Sequence, residues 1–256
     1  MPTTSNQLYY EERGEGSETI VLLPGFGCSI ACFDRLAALL EGYRSILIDL
    51  PGHANSVGSR ADGDLVHMAE DVFEACREIG LSRFAVAGLS LGGAIAVRVG
   101  LDHPEAVQAV VGLMPWNAGG TRTGEDANMK AFHDAFRDNQ TIRAGIEGMS
   151  HKPEKTTDLL VTMPTVPEQM WKGWLGGGAY TSMADDLPGM KVPTMYVVGG
   201  DDFVVDLHKQ VDDIRRIPGG RLVMLTDEGH LAVYEEPELV AREVLAFLRA
   251  PRTASV

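Results

Sequence analysis

Six short apolar runs recur along the chain, and glycine, proline or another turn residue follows each of them. Continuous apolar runs of this kind, without strict alternation of polar and apolar residues, are typical of strands buried on both faces of a parallel sheet. Patterns of helical period lie between several of the runs. The six predicted strands lie in residues 19–25, 44–52, 83–90, 109–115, 193–200 and 221–229. This alternation predicts a doubly wound, mostly parallel α/β sheet.

The clearest helical pattern lies in residues 64–80. Asp64 is a suitable N-cap residue, and Gly80 is a suitable residue at which the helix ends. The apolar positions between them recur at helical spacing and form one stripe: Leu65, Met68, Val72, Phe73, Cys76 and Ile79. Similar patterns begin after Ser90 and at Pro237. A single apolar stripe predicts a helix that packs on the sheet with one face and leaves the other face in water.

The alternation stops after Pro115 and resumes near Gly189. Residues 116–189 show helix-like pieces separated by glycine and proline, without a convincing strand. Because the strands on either side belong to one sheet, we predict a single α/β core of residues 1–115 and 190–256, with a helical lid inserted at 116–189. The insertion holds all three tryptophans and several methionines. Such side chains suit a small core within the insertion and also the wall of an apolar pocket.

The run Gly88-Leu89-Ser90-Leu91-Gly92 joins a predicted strand directly to a predicted helix. A nucleophile at so sharp a turn needs strained backbone angles, and glycines on both sides avoid collisions across the turn. The helix N-terminus adds free N–H groups and a partial positive charge where an oxyanion would form. A G-x-S-x-G pattern also occurs in ordinary glycine-rich helix starts. Its position between a strand and a helix favours a catalytic Ser90.

A catalytic serine needs a histidine as its base and an acid that orients the histidine. His230 follows a predicted strand and precedes the last predicted helix, so it belongs to the same sheet edge as Ser90. The other histidines stand in helix-like or turn contexts where surface or structural roles are expected: His53, His67, His103, His133, His151 and His208. Asp201 and Asp202 follow another strand at that edge. The residues alone leave both open as the acid.

Five segments in this order resemble motifs of the α/β-hydrolase fold superfamily, and the resemblance spans nearly the whole chain. They are LLPGFGCS, IDLPGHANS, GLSLGG, VPTMYVVGGDD and EGHLAVYEEPELVAREVLAFL. The resemblance implies an α/β-hydrolase fold of the serine esterase type with a helical lid. It also implies a catalytic triad of Ser90, Asp202 and His230, with Asp201 as the reserve candidate for the acid.

By the same resemblance, the backbone N–H groups of Phe26 and Leu91 would form the oxyanion hole. We further expect apolar side chains at a strand end and in the insertion to line the substrate pocket: Trp116, Met114, Trp171 and Trp174. We expect no cofactor and no metal. Hydrolysis by a catalytic triad and an oxyanion hole needs neither, and the sequence shows no metal-ligand spacing.

The expected reaction is acyl transfer to water through an acyl-enzyme on Ser90. The aromatic and thioether content of the insertion favours a carboxylic ester or lactone of a small, mainly apolar molecule. Serine at this turn excludes the haloalkane dehalogenases and epoxide hydrolases of the fold, which attack with aspartate. Thioesters and carbon–carbon bonds remain open as targets of the same triad. A small-molecule receptor without hydrolysis and a cofactor-free perhydrolase also remain open.

The composition is that of a globular protein, with 45% hydrophobic residues, 23% charged residues and a formal net charge of −14. This acidity argues against nucleic acid or an anionic membrane as a partner, and a small-molecule substrate is expected instead. No signal-peptide pattern is visible, and no apolar run approaches the ~20 residues of a membrane span. Three cysteines without a CxxC pair indicate reduced thiols, so we expect a cytoplasmic location. The sequence does not indicate an oligomeric state.

Overall fold

The structure, a computed structural model, describes residues 2–120 and 127–250. The strands in these residues are β1 Tyr10–Arg13, β2 Glu18–Leu23, β3 Tyr43–Ile48, β4 Phe84–Leu89, β5 Val107–Leu113, β6 Thr194–Gly199 and β7 Arg221–Leu225. They form one seven-stranded sheet in the order β1-β3-β2-β4-β5-β6-β7. All neighbouring strands are parallel except β1, which pairs with β3 in the antiparallel sense. The doubly wound, mostly parallel sheet is therefore confirmed.

Helices connect the strands and cover the sheet. The α-helices in the described ranges are α1 Asp34–Leu39, α2 Leu65–Glu78, α3 Leu91–Asp102, α4 Ala127–Asp134, α5 Asn139–Met149, α6 Leu159–Thr162, α7 Glu168–Gly176, α8 Leu207–Arg216, α9 Ala232–Glu235 and α10 Pro237–Leu248. Short 3-10 helices span Ile30–Phe33, Ala54–Ser56, Pro153–Lys155, Met163–Thr165, Gly178–Tyr180 and Leu187–Gly189. None of the described helices combines the length and the apolarity that crossing a bilayer requires.

The apolar runs of the sequence become strands because the middle of the sheet is covered on both faces. Every residue of β4 and of β6 is buried. A strand without a solvent face needs no polar alternation, which explains the continuous apolar sequences. Only the two edge strands, β1 and β7, expose a large part of their residues.

The direction in which strands are added to the sheet reverses between β2 and β4. The chain runs from β2 outward to β3, crosses to β4 on the other side of β2, and then continues to β5, β6 and β7. The carboxyl ends of β2 and β4 therefore border a crevice at a topological switch point, where sheets of this kind bind ligands. Leu23 pairs with Gly88 at this edge. The loop after β2 and the turn after β4 both start from the crevice.

All six predicted strands are present, although they end earlier than the apolar runs, which included the turn residues that follow. The antiparallel edge strand β1 was not predicted from the sequence. Its sequence is YEER, and the last two residues are exposed. A short polar edge strand has no apolar run from which it could be predicted.

The described part of the segment between β5 and β6 is helical and contains α4, α5, α6 and α7. No strand occurs in residues 116–120 or 127–189. Residues 121–126 of the predicted insertion lie outside the described residues. The same holds for residues 1 and 251–256 of the predicted core.

The helix α2 begins and ends close to the predicted positions. The Asp64 carboxylate is its N-cap, since Oδ1 accepts hydrogen bonds from the N–H groups of Val66, at 2.8 Å, and His67, at 3.0 Å. Gly80 follows its C-terminus with φ of +90°. Most of the predicted apolar stripe is buried, and Phe73 and Ile79 are half-buried at its border.

We predict that Asp64→Ala lowers the free energy of unfolding by about 1 kcal/mol, because it leaves two N–H groups at the start of α2 without their acceptor. Asp64→Ser is the matched control, since serine is an equally suitable N-cap and should retain most of the stability. Urea unfolding of the three proteins measures the difference. An equal loss in both variants would contradict the capping role.

Candidate active site

Ser90 lies at the turn between β4 and α3 in a strained backbone conformation. Its φ is 52° and its ψ is −115°. Strain of this kind costs on the order of 1–3 kcal/mol and persists only where the surroundings hold it. The Ser90 N–H donates to the carbonyl oxygen of Leu113 at 3.0 Å, and its own carbonyl accepts from the N–H of Trp116 at 2.9 Å. These two bonds to the end of β5 and the residues after it hold the turn.

Steric contacts require glycine on both sides of Ser90, at positions 88 and 92. A Cβ atom at Gly88 would lie 2.0 Å from the carbonyl oxygen of Gly92, and one at Gly92 would lie 2.2 Å from the carbonyl oxygen of Leu23. Both distances are far below van der Waals contact with rigid backbone atoms. Only glycine therefore allows the first turn of α3 to lie against the ends of β2 and β4.

His230 and Asp202 form a buried pair. His230 Nδ1 lies 2.8 Å from Asp202 Oδ2, and the two side chains are 6% and 0% exposed. The other oxygen, Oδ1, accepts from the N–H groups of Val204, at 2.8 Å, and Val205, at 3.0 Å. These bonds orient the carboxylate. A proton on Nδ1, donated to Asp202, leaves Nε2 of the ring as an acceptor.

The structure distinguishes between the two candidate acids. Asp201 is exposed, and its N–H donates to the carbonyl oxygen of Glu228 at 3.0 Å. Its carboxylate has no hydrogen bond within the described part of the chain, whereas that of Asp202 contacts His230. The geometry therefore favours Asp202.

Ser90 and His230 line the same cavity, but Ser90 Oγ and His230 Nε2 form no hydrogen bond in the described structure. Hydrogen bonds between a nucleophile and its base are often long or poorly aligned without substrate, and they tighten in the reacting complex. The structure thus brings all three candidate residues to one site and forms one of the two contacts that a triad needs.

The two backbone amides expected at an oxyanion hole are available. The N–H of Leu91 opens α3, and the N–H of Phe26 belongs to the loop after β2. Within the described residues neither donates a hydrogen bond. The first N–H groups of a helix lack partners in the helix itself and carry a partial positive charge. Both donors thus remain free for a ligand.

The cavity has a volume of about 360 Å³ and an apolar wall. Among the described residues that line it, hydroxyl and imidazole groups come from Ser90, Thr141 and His230 alone, and none is Lys, Arg, Asp or Glu. The remaining wall consists of aromatic, aliphatic, sulfur-containing and glycine residues. Phe203 lines the cavity and is 60% exposed, so it lies at the opening.

Comparison with known proteins identifies the family of the chain. The family model described as "Alpha/beta hydrolase family" matches residues 20–243. The chain belongs to this alpha/beta hydrolase family. It is 26% identical over 264 residues to a 2-hydroxy-6-oxononadienedioate/2-hydroxy-6-oxononatrienedioate hydrolase from a Pseudomonas species, covering 95% of this chain and 92% of that protein.

Two solved structures support the fold. The enol-lactonase from Burkholderia xenovorans LB400 superposes with a TM-score of 0.83 at 19% identity, covering 94% of this chain and 96% of that chain. An esterase from Exiguobacterium antarcticum superposes with a TM-score of 0.85 at 20% identity, covering 95% of this chain and 96% of that chain. At such low identity the likeness concerns the alpha/beta hydrolase fold alone.

The four residues expected in the pocket divide into two pairs. Trp116 and Trp174 line the cavity. Met114 and Trp171 do not, so their prediction as pocket residues is wrong. Trp171 is buried behind Phe26, with ring centroids 5.2 Å apart. Met114 is fully buried in the core directly after β5.

Several residues of the cavity wall were not predicted from the sequence. Gly145 and Gly148 line it from α5. Because glycine has no side chain, neither residue contributes to the apolar pattern from which pocket residues were predicted. Phe203 and Leu231 also line it. These two directly follow the candidate acid and base along the chain, so their position beside those residues was a usable signal.

Cys28 also lines the cavity but is not a suitable nucleophile. Its side chain is buried, and burial raises the pKa of the thiol to about 12. The thiolate is the reactive form of cysteine, and a raised pKa keeps the group neutral near pH 7. The site therefore contains an unreactive thiol beside Ser90.

His53 supports the loop that carries Phe26. Its ring is fully buried and meets the Phe26 ring edge to face, with centroids 5.5 Å apart. Nδ1 lies 2.8 Å from the carbonyl oxygen of Pro51, which places the proton there, and Nε2 has no partner in the described part of the chain. Burial lowers the pKa of His53 to about 4. The neutral ring is therefore the form that fits this packing.

We predict that His53 makes the protein less stable in mild acid. The unfolded chain binds a proton as the pH falls below 6.5, while the folded chain resists it until about pH 4. The free energy of unfolding is therefore not reduced by His53 above pH 6.5. As the pH falls from 6.5 to about 4, it decreases by at most about 3 kcal/mol.

Urea unfolding at pH 7.5 and at pH 5.0 measures this effect. In His53→Asn, whose amide can keep the bond to Pro51, the difference between the two pH values should shrink by about 2 kcal/mol. His208→Asn, at an exposed histidine, is the matched control and should keep the wild-type difference. An unchanged difference in His53→Asn would contradict the prediction.

Proposed function

We propose that this member of the family is a serine hydrolase that cleaves a carboxylic ester or lactone of a small, mainly apolar molecule through an acyl-enzyme on Ser90. The proposal rests on one observation above all: His230, which is hydrogen-bonded to Asp202, lines the same apolar cavity as the strained Ser90. The Pseudomonas relative is a hydrolase, and an enol-lactonase and an esterase share the fold, which supports the reaction class.

In the proposed mechanism His230 Nε2 takes the proton of Ser90 as Oγ attacks the substrate carbonyl. Asp202 keeps the other ring nitrogen protonated and stabilises the imidazolium that forms. The imidazolium then gives its proton to the leaving alcohol, and the acyl group stays on Oγ. A water molecule repeats the sequence with His230 as base and frees the acid.

The N–H groups of Phe26 and Leu91 would bind the oxyanion of both tetrahedral intermediates. Each donor of this kind contributes about 3 kcal/mol to transition-state stabilisation. The N-terminus of α3 adds the partial positive charge of a helix end at the same point. Because hydrogen bonds to Leu113 and Trp116 hold the turn at Ser90, the N–H of Leu91 needs little reorganisation during the reaction.

The cavity wall supports an uncharged substrate. The Pseudomonas relative is named as a hydrolase of dioates, which carry two carboxylates. A site for such substrates needs cationic or strongly polar donors, since burial of an unpaired charge is costly. Within the described ranges no Lys or Arg lines the cavity. We therefore favour an apolar ester or lactone over a dicarboxylate as the substrate of this chain.

We further propose that residues 116–189 act as a lid over Ser90, inserted into a core of residues 1–115 and 190–256. The described helices of this segment supply much of the cavity wall. Thr162 Oγ1 also donates to the carbonyl oxygen of Gly27 at 2.7 Å, which ties the segment to the loop that carries Phe26. An apolar cover would exclude bulk water and strengthen the electrostatic interactions in the site.

A fluorophosphonate label and p-nitrophenyl butyrate test the triad. Wild-type protein should bind one label, at Ser90, and turn over the ester many times. His230→Ala and Asp202→Asn should slow both reactions by about a thousandfold or more, since the base is lost or held in the wrong tautomer. Asp201→Asn is the matched control and should keep normal rates, because its carboxylate does not touch His230.

Three outcomes would contradict the assignment. Normal rates in folded Asp202→Asn with lost activity in Asp201→Asn would move the acid to its neighbour. Labelling without turnover on esters or lactones would favour a receptor of this fold. Folded wild-type protein that neither takes the label nor hydrolyses any ester would overturn the serine mechanism.

Gly148 is predicted to set the length of the acyl group. A Cβ atom at Gly148 would lie 3.9 Å from the ring of Phe203, an ordinary contact, so the position tolerates a side chain beside the opening. Gly148→Leu should fill this space and remove contacts to about two methylenes of a long chain, each worth ~0.8 kcal/mol. We expect kcat/KM for p-nitrophenyl octanoate to fall about tenfold, and that for the acetate to change less than about threefold.

Gly148→Ala serves as the control, because a methyl group occupies little of the cavity and the acyl preference should remain that of the wild type. Rates are compared for the acetate, butyrate and octanoate in each folded variant. Equal losses on all three esters in Gly148→Leu would mean that the acyl chain does not pass this position.

A further inference from the structure

Three side chains of metal-ligand type lie together behind the candidate histidine loop. They are His151, which follows α5, Glu228, in the loop after β7, and Glu235, at the end of α9. One potential ligand atom from each lies within 4.8 Å of the other two. These residues come from three separate parts of the chain, and none of them takes part in the proposed hydrolysis.

Glu235 is the unusual member of this cluster, because it is fully buried. Its Oε1 accepts from Ser150 Oγ at 2.6 Å and from the Lys152 N–H at 2.8 Å. Its Oε2 is buried and has no hydrogen-bond partner among the described residues. A buried carboxylate oxygen without a partner is costly, and each such atom in a native protein calls for a proton, a water molecule or a cation.

The nearby lysines do not supply that cation. The Lys152 ammonium pairs with Glu236 Oε1, and the Lys155 ammonium lies 3.7 Å from the same atom. Lys155 also donates to the backbone carbonyl of Glu235, but not to its carboxylate. Within residues 2–120 and 127–250, the carboxylates of Glu228 and Glu235 therefore lack a bonded cationic side chain.

We propose that His151, Glu228 and Glu235 bind a divalent transition-metal ion of the zinc class. One imidazole and two carboxylates suit Zn²⁺, whereas Ca²⁺ and Mg²⁺ prefer oxygen ligands throughout. Ligand atoms on one zinc ion lie about 3–4 Å apart. His151 is exposed and Glu228 is half-buried, so small rotations of these two side chains can close the site around the fixed carboxylate of Glu235.

A metal ion here would connect the helical segment to the loop that carries His230. A Cβ atom at Gly229 would lie 3.2 Å from His151 Nε2, so His151 already packs against the residue that precedes His230. The carbonyl oxygen of Glu228 also accepts the N–H of Asp201. The ion would thus brace the loops of the candidate base and acid from behind, without access to the substrate.

Equilibrium dialysis of the untagged, EDTA-treated full chain against ZnCl₂ tests the site, with thermal unfolding as a second measurement. We expect one ion per chain and a rise in Tm on its addition, since a ligand that binds the folded state stabilises it. His151→Ala and Glu228→Gln should bind at least about tenfold more weakly and lose the rise in Tm. Both change side chains that are not fully buried, so they should fold as the wild type does in EDTA.

His208→Ala is the matched control, because His208 is exposed beside Asp206, at 3.5 Å, and belongs to no group of three potential ligands among the described residues. It should bind zinc as the wild type does. The absence of binding at micromolar zinc in the wild type would overturn the proposal. So would binding that His151→Ala and Glu228→Gln leave unchanged, since the ion would then lie elsewhere. Neither measurement depends on hydrolysis, so the result is independent of the proposed function.

Discussion

The close approach of α3 to the ends of β2 and β4 is the constraint on which the rest of the site depends. Gly92 allows the first turn of this helix to lie against the carbonyl oxygen of Leu23, and Gly88 allows the strand to meet the helix without collision. The strained turn at Ser90 follows from this contact and is held by hydrogen bonds to the end of β5 and the residues after it. As a result, a hydroxyl group and two free backbone N–H groups share one corner of the sheet.

The buried carboxylates around this corner differ in how many of their oxygen atoms have hydrogen-bond partners. Both oxygens of Asp202 have partners, two backbone N–H groups on one and His230 on the other. This full set of bonds fixes the direction of the carboxylate and hence of the imidazole ring. Glu235, behind the same loop, has partners on one oxygen only. The two buried carboxylates thus have different proposed roles: Asp202 orients His230, and Glu235 belongs to the proposed cation site.

The sequence predicted those parts of the fold that depend on neighbouring residues along the chain. A strand covered on both faces must be apolar throughout, so β4 and β6 were recognisable. The cap of α2 was recognisable because Asp64 precedes an apolar stripe. The edge strand β1 was not, since a polar four-residue strand resembles a loop. Trp171 and Met114 were assigned to the pocket in error, because an apolar side chain has the same sequence signal in a core as in a cavity wall.

From the amino-acid sequence alone came six of the seven strands, the glycine-flanked turn at Ser90 and the sheet edge on which His230 lies. These features follow from local sterics and from the period of the apolar residues. Three further features emerge only in the folded chain: Asp202 rather than Asp201 contacts His230, Gly148 faces Phe203 at the cavity opening, and His151 lies beside two glutamates. Each of these depends on which side chains from distant parts of the chain share one space, and periodicity identifies the face of a helix but not the residue opposite it.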